Sequence, residues 1–325
     1  MTSALRKVSA RPAEAGRALQ SFKILAGTER EMTRNVQEMI DAAGGSRVSR
    51  KMAERLYVEQ DMPKCEAHAL ARGLAVVYST RCPGKPTPSE DSAALLPVGE
   101  HHAILAVADG VGGQPSGGAA SRLTVQALAA AAGQGLDANG SLRPAVLDGF
   151  EAANQAVRAL GAGAATTLIV VTLHHQPGMR AAARVYHAGD SMALILGNRG
   201  RVKHRTVSHS PVGYAEEAGL INERTALRHA ERHLVSNALG SDQMKIEIGP
   251  SLELSALDTL VLGSDGLFDN LSTQAIVERA RKGPLPLAGR RLADDCAARM
   301  RSQNGNGHGK PDDLTFILWR GSRKA

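Results

Sequence analysis

Aromatic residues make up only 3% of the 325-residue chain, and that scarcity argues against one class of partner at the outset. A platform for stacking unpaired nucleic-acid bases needs Phe, Tyr or Trp rings. Cysteine is scarce too. Cys65, Cys82 and Cys296 make an odd number, with no C-x-x-C spacing and no Cys/His cluster. Neither a zinc site nor a disulfide framework is expected, and a reducing compartment fits. No apolar run approaches the ~20 residues of a membrane-spanning helix. The basic opening MTSALRKVSARPAEAGR has no apolar h-region, so no secretion signal is expected and the cytoplasm is the default location. What remains is a globular composition, 43% hydrophobic and 22% charged, able to bury a substantial core in one large domain or two smaller ones. A formal net charge of +7 suits anionic partners, but a basic balance by itself describes a solvated surface as well as a ligand site.

The texture of the chain changes near Gly73. Residues 1–72 read as a helical N-terminal extension of unassigned role. Thr28-Glu29-Arg30-Glu31 has capping-box spacing, and Met32, Val36, Met39 and Ile40 follow at helical intervals. Gly44-Gly45 stops that helix, and Ser46 to Tyr57 reads as the start of another. Residues 73–320 are instead rich in short β-type runs. Strands are expected near Leu74–Thr80, Ser92–Pro97, Ala103–Ala108, Thr167–Leu173, Ala181–His187, Met192–Leu196, Val202–Val207, Lys245–Ile248, Thr259–Leu262 and Leu314–Trp319. Helices are expected over Gly118–Ala132, Arg143–Leu160, Thr273–Arg281 and Leu287–Arg301. Consecutive strands with no helix between them argue against a βαβ repeat and for an α+β fold, antiparallel sheets flanked by helices. Residues 321–325 form a basic tail.

Four acidic clusters stand at the ends of apolar runs: Glu90-Asp91 in PSEDSAAL, Asp109 in AVADGVGG, Asp265 in VLGSDGLFD, and Asp312-Asp313 in PDDLTFILW. A carboxylate at the end of a hydrophobic strand is costly to desolvate without compensation. Converging carboxylates are most simply compensated by a hard divalent cation, Mg²⁺ or Mn²⁺ for an all-oxygen shell, and a pair of such ions suits phosphate-ester hydrolysis. Gly110 lets the backbone bend so that its carbonyl can face the same point as Asp109. The segment is neither a dinucleotide fingerprint nor a P-loop, because Pro115 breaks the glycine spacing and no Gly-Lys-Ser/Thr follows. Asp269, four residues after Asp265, shares its face if the segment is helical. Asp190, in the hairpin-like Gly189-Asp190-Ser191, also has a plain reading as a turn residue.

The ordered set EDSAAL, VADGVGG, AATTLIVV, VYHAGDSMALIL, VLGSDGLFDNLS and DDLTFILW resembles the protein phosphatase 2C family of metal-dependent phosphatases, in its bacterial form. His209–Ser241 is similar to the segment that carries the family's flap. The resemblance implies a pair of packed antiparallel sheets flanked by helices, with a dinuclear site at one end. It implies that Asp109 bridges two Mn²⁺ or Mg²⁺ ions, that Asp265 and Asp312 complete one shell, and that the Gly110 carbonyl and Glu90 complete the other. Asp91 would hold ion-bound waters, Asp190 and Asp265 would take a weaker third ion, and Thr166, Thr167, Ser264 and Asp313 would support the ligands. The implied reaction is hydrolysis of phosphoserine or phosphothreonine in a protein substrate, such as a kinase target, with no phosphoenzyme.

Two positions depart from the family pattern. Where the family commonly has a phosphate-gripping Arg, this chain has Pro86, with Arg81 and Lys85 nearby as the candidate phosphate ligands. Where many eukaryotic members have a general-acid His, it has Val111; His101, His102, His187 and His209 are candidates by count alone. The missing Arg motivates a rival reading, a catalytically silent binding module on the same fold. A nucleic-acid-binding reading rests on net charge alone and is ranked last.

Overall fold

The apolar run AILAVA forms the centre of strand β5 (His102–Val111), buried on both faces from Ala103 to Ala108. The computed structural model describes residues 53–111, 116–161, 163–175, 179–302 and 309–322. Around β5 the first sheet runs in the order β1 (Arg55–Val58), β4 (Asp91–Val98), β5, β7 (Leu168–His174), β8 (Ala181–Ala188) and β11 (Glu247–Ile248). The short β6 (Ala165–Thr166) pairs with β5, and β12 (Leu252–Leu254) with β8. The second sheet runs β10 (Val202–Arg205), β9 (Met192–Leu196), β13 (Thr259–Gly263), β14 (Leu314–Gly321), β3 (Gly73–Thr80) and β2 (Glu66–Leu70). The strand pairings between these elements are antiparallel.

Alternation along the strands explains why the sheets stack. Ala93, Leu95, Leu105, Val107, Ile169 and Val171 face Ala75, Val77, Leu260, Leu262, Ile317 and Trp319 in one core cluster. The intervening residues Ala94, Leu96, Ile104, Ala106 and Val170 form a second cluster with Val125 and Leu128 of helix α1 (Ser116–Ala132) and Val146 and Phe150 of helix α2 (Arg143–Leu160). The first sheet is therefore covered on both faces, which is why its central strands read as unbroken apolar runs rather than as alternating ones. Phe150 and Trp319 are 0% and 1% exposed; truncating either to Ala costs about 3–5 kcal/mol. Trp319 also donates from Nε1 to the Leu70 carbonyl at 3.0 Å, which fixes β14 against the β2 end of its sheet. On the outer face of the second sheet, helix α7 (Leu285–Arg301) approaches so closely that a Cβ at Gly289 would lie 2.9 Å from Val76.

The α+β fold with two packed antiparallel sheets is as expected, and the ten anticipated strands and four helices stand within a few residues of the expected bounds. The extension boundary does not stand where the sequence put it. Residues 55–58 and 66–70 are strands, with β1 pairing Arg55 with Leu95 and β2 pairing Glu66 with Val77. Runs of four and five residues are too short to show a period-2 pattern. The β2–β3 turn also hides its signal, because its two left-handed positions are Ala71 (φ 46°) and Arg72 (φ 56°) rather than glycines. Strand β14 runs two residues past the expected Trp319, to Gly321. The helices expected over residues 28–45, and the last residues of the basic tail, lie outside the described residues.

Candidate metal centre

Antiparallel pairing of β4 with β5 puts Asp91 directly opposite Asp109. Two carboxylates facing each other across a ladder repel, so the surrounding residues hold the backbone at this point. The Asp109 N–H donates to Thr167 Oγ1 at 3.1 Å, while the Asp109 carbonyl accepts from Thr166 Oγ1 at 2.7 Å and from the Thr167 N–H at 2.8 Å. Thr167 Oγ1 in turn lies 2.7 Å from Ser191 Oγ in the hairpin that carries Asp190. Ser264 Oγ donates to Asp91 Oδ2 at 2.8 Å, and Ser264 immediately precedes the short helix α5 (Asp265–Phe268), which starts at Asp265. Gly110 is required here: a Cβ would lie 2.4 Å from the Gly117 backbone and 2.9 Å from the Glu90 carbonyl.

Asp312 and Asp313 stand at the entry to β14. Asp313 is 5% exposed and accepts from the Cys82 and Glu90 N–H groups, both at 2.7 Å, and from Lys85 Nζ at 2.7 Å. Lys85 Nζ also reaches Glu90 Oε2 at 2.8 Å. A second ammonium sits on the other side. Lys310 Nζ contacts Asp265 Oδ2, lies 3.2 Å from Asp269 Oδ2 and lies 3.0 Å from Asp312 Oδ2. The Asp269 N–H bonds the Asp265 carbonyl at 2.7 Å, so the helical turn anticipated from their spacing does bring both acids to one point.

The electrostatics follow from this crowding. Burial first, and then neighbouring carboxylates, hold Asp91, Asp109 and Asp190 well above the ordinary carboxylate value of 3.8. For Asp91 the neighbours are led by Asp313, for Asp109 by Asp91, and for Asp190 by Asp265. Asp269 is raised to about 7 and Asp312 to about 6 by the same two causes, Asp265 being the neighbour in both cases. Burial works against the Lys310 ammonium, but Asp265, Asp269 and Asp312 outweigh it and hold that group well above the usual lysine range. A protein that encloses this many carboxylates at one end of its sheets is short of positive charge there. The donor set is carboxylate and carbonyl oxygen, which fits Mg²⁺ or Mn²⁺. Lys310 and Lys85 mark the places where positive charge is wanted.

The carboxylates stand around an ammonium at about 3 Å, whereas oxygen ligands of Mg²⁺ lie at about 2.1 Å. The tightest cluster of metal-type donors among the described residues is elsewhere, in His187, His209 and Glu247, whose ligand atoms lie within 4.8 Å of one another. Its hydrogen bonds commit it to another task. His209 Nδ1 accepts from the Gly189 N–H at 3.1 Å and lies 3.0 Å from Asn237 Nδ2, so the proton sits on Nε2, 3.1 Å from Glu247 Oε2. That nitrogen has no lone pair for an ion. His209 braces the turn that presents Asp190.

Of the two phosphate-ligand candidates, Lys85 is at the cluster, whereas Arg81 Nε is turned to Asp61 Oδ2 at 2.9 Å in an exposed pair. His102 opens β5 opposite His174, seven residues from Asp109 and at the other end of the strand. His101, whose carbonyl accepts from the His175 N–H at 3.0 Å, lies at that same far end. Val111 pairs with Ala165 in the short β6 ladder. Lys310 was missed by sequence reasoning: a lysine at the end of a Gly/Asn-rich loop looks like surface charge, and only its position two residues before Asp312 offered a hint.

The family model described as Protein phosphatase 2C matches residues 80–298, more than half of the chain. Protein phosphatase PhpP of Streptococcus pneumoniae serotype 2 is 29% identical over 181 residues, covering 53% of this chain and 70% of its own length. The crystal structure of the Mycobacterium tuberculosis serine/threonine phosphatase PstP/Ppp superposes with a TM-score of 0.61 at 25% identity, covering 77% of this chain and 98% of that one. A PstP catalytic domain solved in complex with two manganese ions has a TM-score of 0.59 at 24% identity, covering 76% of this chain and 96% of that one. With acidic motifs, sheet topology and family match all in agreement, the chain belongs to the protein phosphatase 2C family.

Proposed function

We propose that this protein hydrolyses phosphoserine and phosphothreonine in protein substrates at a dinuclear Mn²⁺ or Mg²⁺ centre, and that the catalytic unit includes strands β1 and β2 ahead of residue 73. The observation that carries the reading is the convergence of Asp91, Asp109, Asp265 and Asp312, from four separate segments, around a deficit of positive charge that Lys310 only partly fills. The manganese in the related PstP domain supports the choice of ion. Asp109, Asp265 and Asp312 would hold the ions together with Glu90 and the Gly110 carbonyl; Asp190 would serve a weaker third ion, and Asp91 would orient water. When bound, the pair of ions supplies an activated water and offsets charge on the phosphate.

The residues of the chain supply the rest. Thr166 and Thr167 hold the Asp109 backbone in place, and Ser264 and Asp313 fix Asp91, Glu90 and Lys85. An ammonium has three N–H donors. Lys85 spends two on Glu90 and Asp313, leaving one for a phosphate oxygen of the substrate. Water adds to phosphorus, the bond to the serine or threonine oxygen breaks, and that oxygen leaves with a proton from water, since His209 is committed behind the Asp190 turn and burial holds the His187 imidazole far below its ordinary value. Lys85 answers the missing arginine that motivated the silent-module reading. Targets of a serine/threonine kinase in the cytoplasm fit this site; no helix among the described residues is long and apolar enough to cross a membrane.

The test is hydrolysis of a phosphothreonine peptide by the full chain with Mn²⁺, with EDTA, and in Asp109→Asn. Turnover that survives either EDTA or the substitution would refute the assignment.

A further inference from the structure

Beside the carboxylate cluster, the segment from Pro211 to Gly240 carries three arginines, Arg224, Arg228 and Arg232. Helix α3 (Pro211–Glu217) leads through a turn to the short helix α4 (Glu223–Ala226), after which the chain turns repeatedly as far as His233. A cavity of about 370 Å³ opens here, lined by Asn222, Arg224, Thr225, Arg228, His229 and Ala230. Two of its walls are guanidinium groups for which no carboxylate within ion-pair distance is found among the described residues. Of the four acids in the segment, Glu216 takes both terminal nitrogens of Arg205 and Glu223 Oε1 accepts from the Thr273 N–H at 2.7 Å, while Glu217 and Glu231 stand outside the cavity lining.

The cavity is tied to the candidate metal centre by the next arginine. Arg232 Nε lies 3.8 Å from Asp269 Oδ2, and its NH1 donates to the Leu227 carbonyl, folding the turn back on itself. Asp269 is the same acid that Lys310 joins to Asp265 and Asp312. Arg228 stands four residues before Arg232, so the cavity lies no more than about 14 Å along the chain from the rim of the centre. An extended peptide advances about 3.3 Å per residue, and its flanks would reach the cavity within about four residues of a phosphoresidue seated at the centre.

We propose that Arg224 and Arg228 form an anion subsite that recognises a second negative group, a carboxylate or a second phosphate, on the same protein segment as the scissile phosphoresidue. The substrates would then be phosphoproteins with acidic or multiply phosphorylated flanks, and the proposal rests on the phosphatase reading above. Planar guanidinium groups suit both anions, since each presents paired donors to two oxygens. Arg224 and Arg228 are exposed, so the attraction they offer an anion weakens with salt. Arg232, within 3.8 Å of Asp269 and bonded to the Leu227 carbonyl, ties the turn that carries Arg228 to the rim of the centre.

The experiment compares kcat/KM for three phosphothreonine peptides on the full chain with Mn²⁺: one with neutral flanks, one with Asp/Glu about three to five residues away, and one with phosphoserine there. The measurement is repeated in Arg224→Gln/Arg228→Gln. The expected result is a preference of about tenfold for the anionic flanks, falling as salt is raised and lost in the double variant. A larger preference for the phosphoserine peptide assigns the subsite to phosphate; equal preference assigns it to either anion. Equal turnover of all three peptides by the unaltered chain, or a preference that survives in the double variant, overturns the proposal. If no peptide is turned over, the phosphatase reading fails separately, and fluorescence anisotropy of labelled acidic and neutral peptides still reads the subsite: equal affinity for both would refute it.

Discussion

Replacing Lys310 with Met tests how the carboxylate cluster is held together. The methionine keeps most of the side chain's volume and removes an ammonium that contacts Asp265, Asp269 and Asp312. Taking one partner out of a buried charge cluster costs about 3–5 kcal/mol. The three carboxylates are 14%, 18% and 36% exposed, so water recovers part of this, and about 2–3 kcal/mol is expected at pH 8 without metal. For a domain of this size that lowers the Tm by about 4–10 °C. The effect on metal is opposite. The ammonium holds the carboxylates at about 3 Å, and an ion must displace it and draw them in to about 2.1 Å. Without the competitor, Mn²⁺ is expected to bind at least about tenfold more tightly, which is about 1.4 kcal/mol. Differential scanning calorimetry in EDTA and titration calorimetry with Mn²⁺ read the two effects on one preparation. An unchanged metal-free Tm, or weaker Mn²⁺ binding, would refute the view of Lys310 as a tethered counter-ion.

Three further outcomes follow from the same geometry. A carboxyl whose folded pKa is raised stabilises the protein while protonated and loses that contribution as pH climbs through the folded value. With Asp91, Asp109 and Asp190 raised well above 3.8 by burial and by one another, and Asp312 and Asp269 at about 6 and about 7, the Tm in EDTA should fall from about pH 5 to about pH 8, as the raised carboxyls ionise. Saturating Mn²⁺ should abolish that fall, and a metal-free Tm that rises over the range would contradict the buried-acid picture. Lys85→Met should lower kcat/KM for a phosphopeptide by about 10- to 100-fold, mostly through KM, as expected for one charge-assisted hydrogen bond; Lys85→Arg should recover part of it, and an unchanged KM in Lys85→Met would exclude the phosphate role. Gly266→Ala would set a Cβ 1.9 Å from the Asp313 carbonyl, so a fall in the urea midpoint worth about 1–3 kcal/mol is expected, with weaker Mn²⁺ binding because Asp313 positions Glu90 and Lys85; a variant with wild-type midpoint and affinity would show that the α5–β14 contact can relax freely.

Ten strands could be read from the sequence, and the clearest were those apolar on both faces: β5, β7, β9, β13 and β14. What escaped was short or lacked its usual markers, as with β1, β2 and the Ala71-Arg72 turn. The same division holds at the site. Asp109, Asp265 and Asp312 were legible because a carboxylate ending a hydrophobic run is expensive unless something compensates it, so its position alone carries information. Asp313 was placed by its neighbour in the motif, and in the structure it accepts three hydrogen bonds, from the Cys82 and Glu90 N–H groups and from Lys85. Lys310 and Arg232 were not legible, since long flexible cations sit anywhere on a surface, and only three-dimensional placement shows that these two point inward at acids. Arg81 and Lys85 both stayed candidates, because a fold-back of the Pro83–Pro88 loop would have brought Arg81 within reach. Asp61, which takes Arg81 away from the site, lies twenty residues earlier.

Strand β14 lies between β13 and β3, and its entry carries Asp312 and Asp313. Until that stretch has emerged from the ribosome, the β2–β3 hairpin has no partner joining it to β9, β10 and β13, and Asp109 waits with an incomplete set of neighbours. Nascent chains stalled short of residue 321 would therefore hold the first sheet and helices α1 and α2 without a closed sandwich. Completion of the acidic cluster therefore waits for the last strand, which brings Asp312 and Asp313 to Asp109.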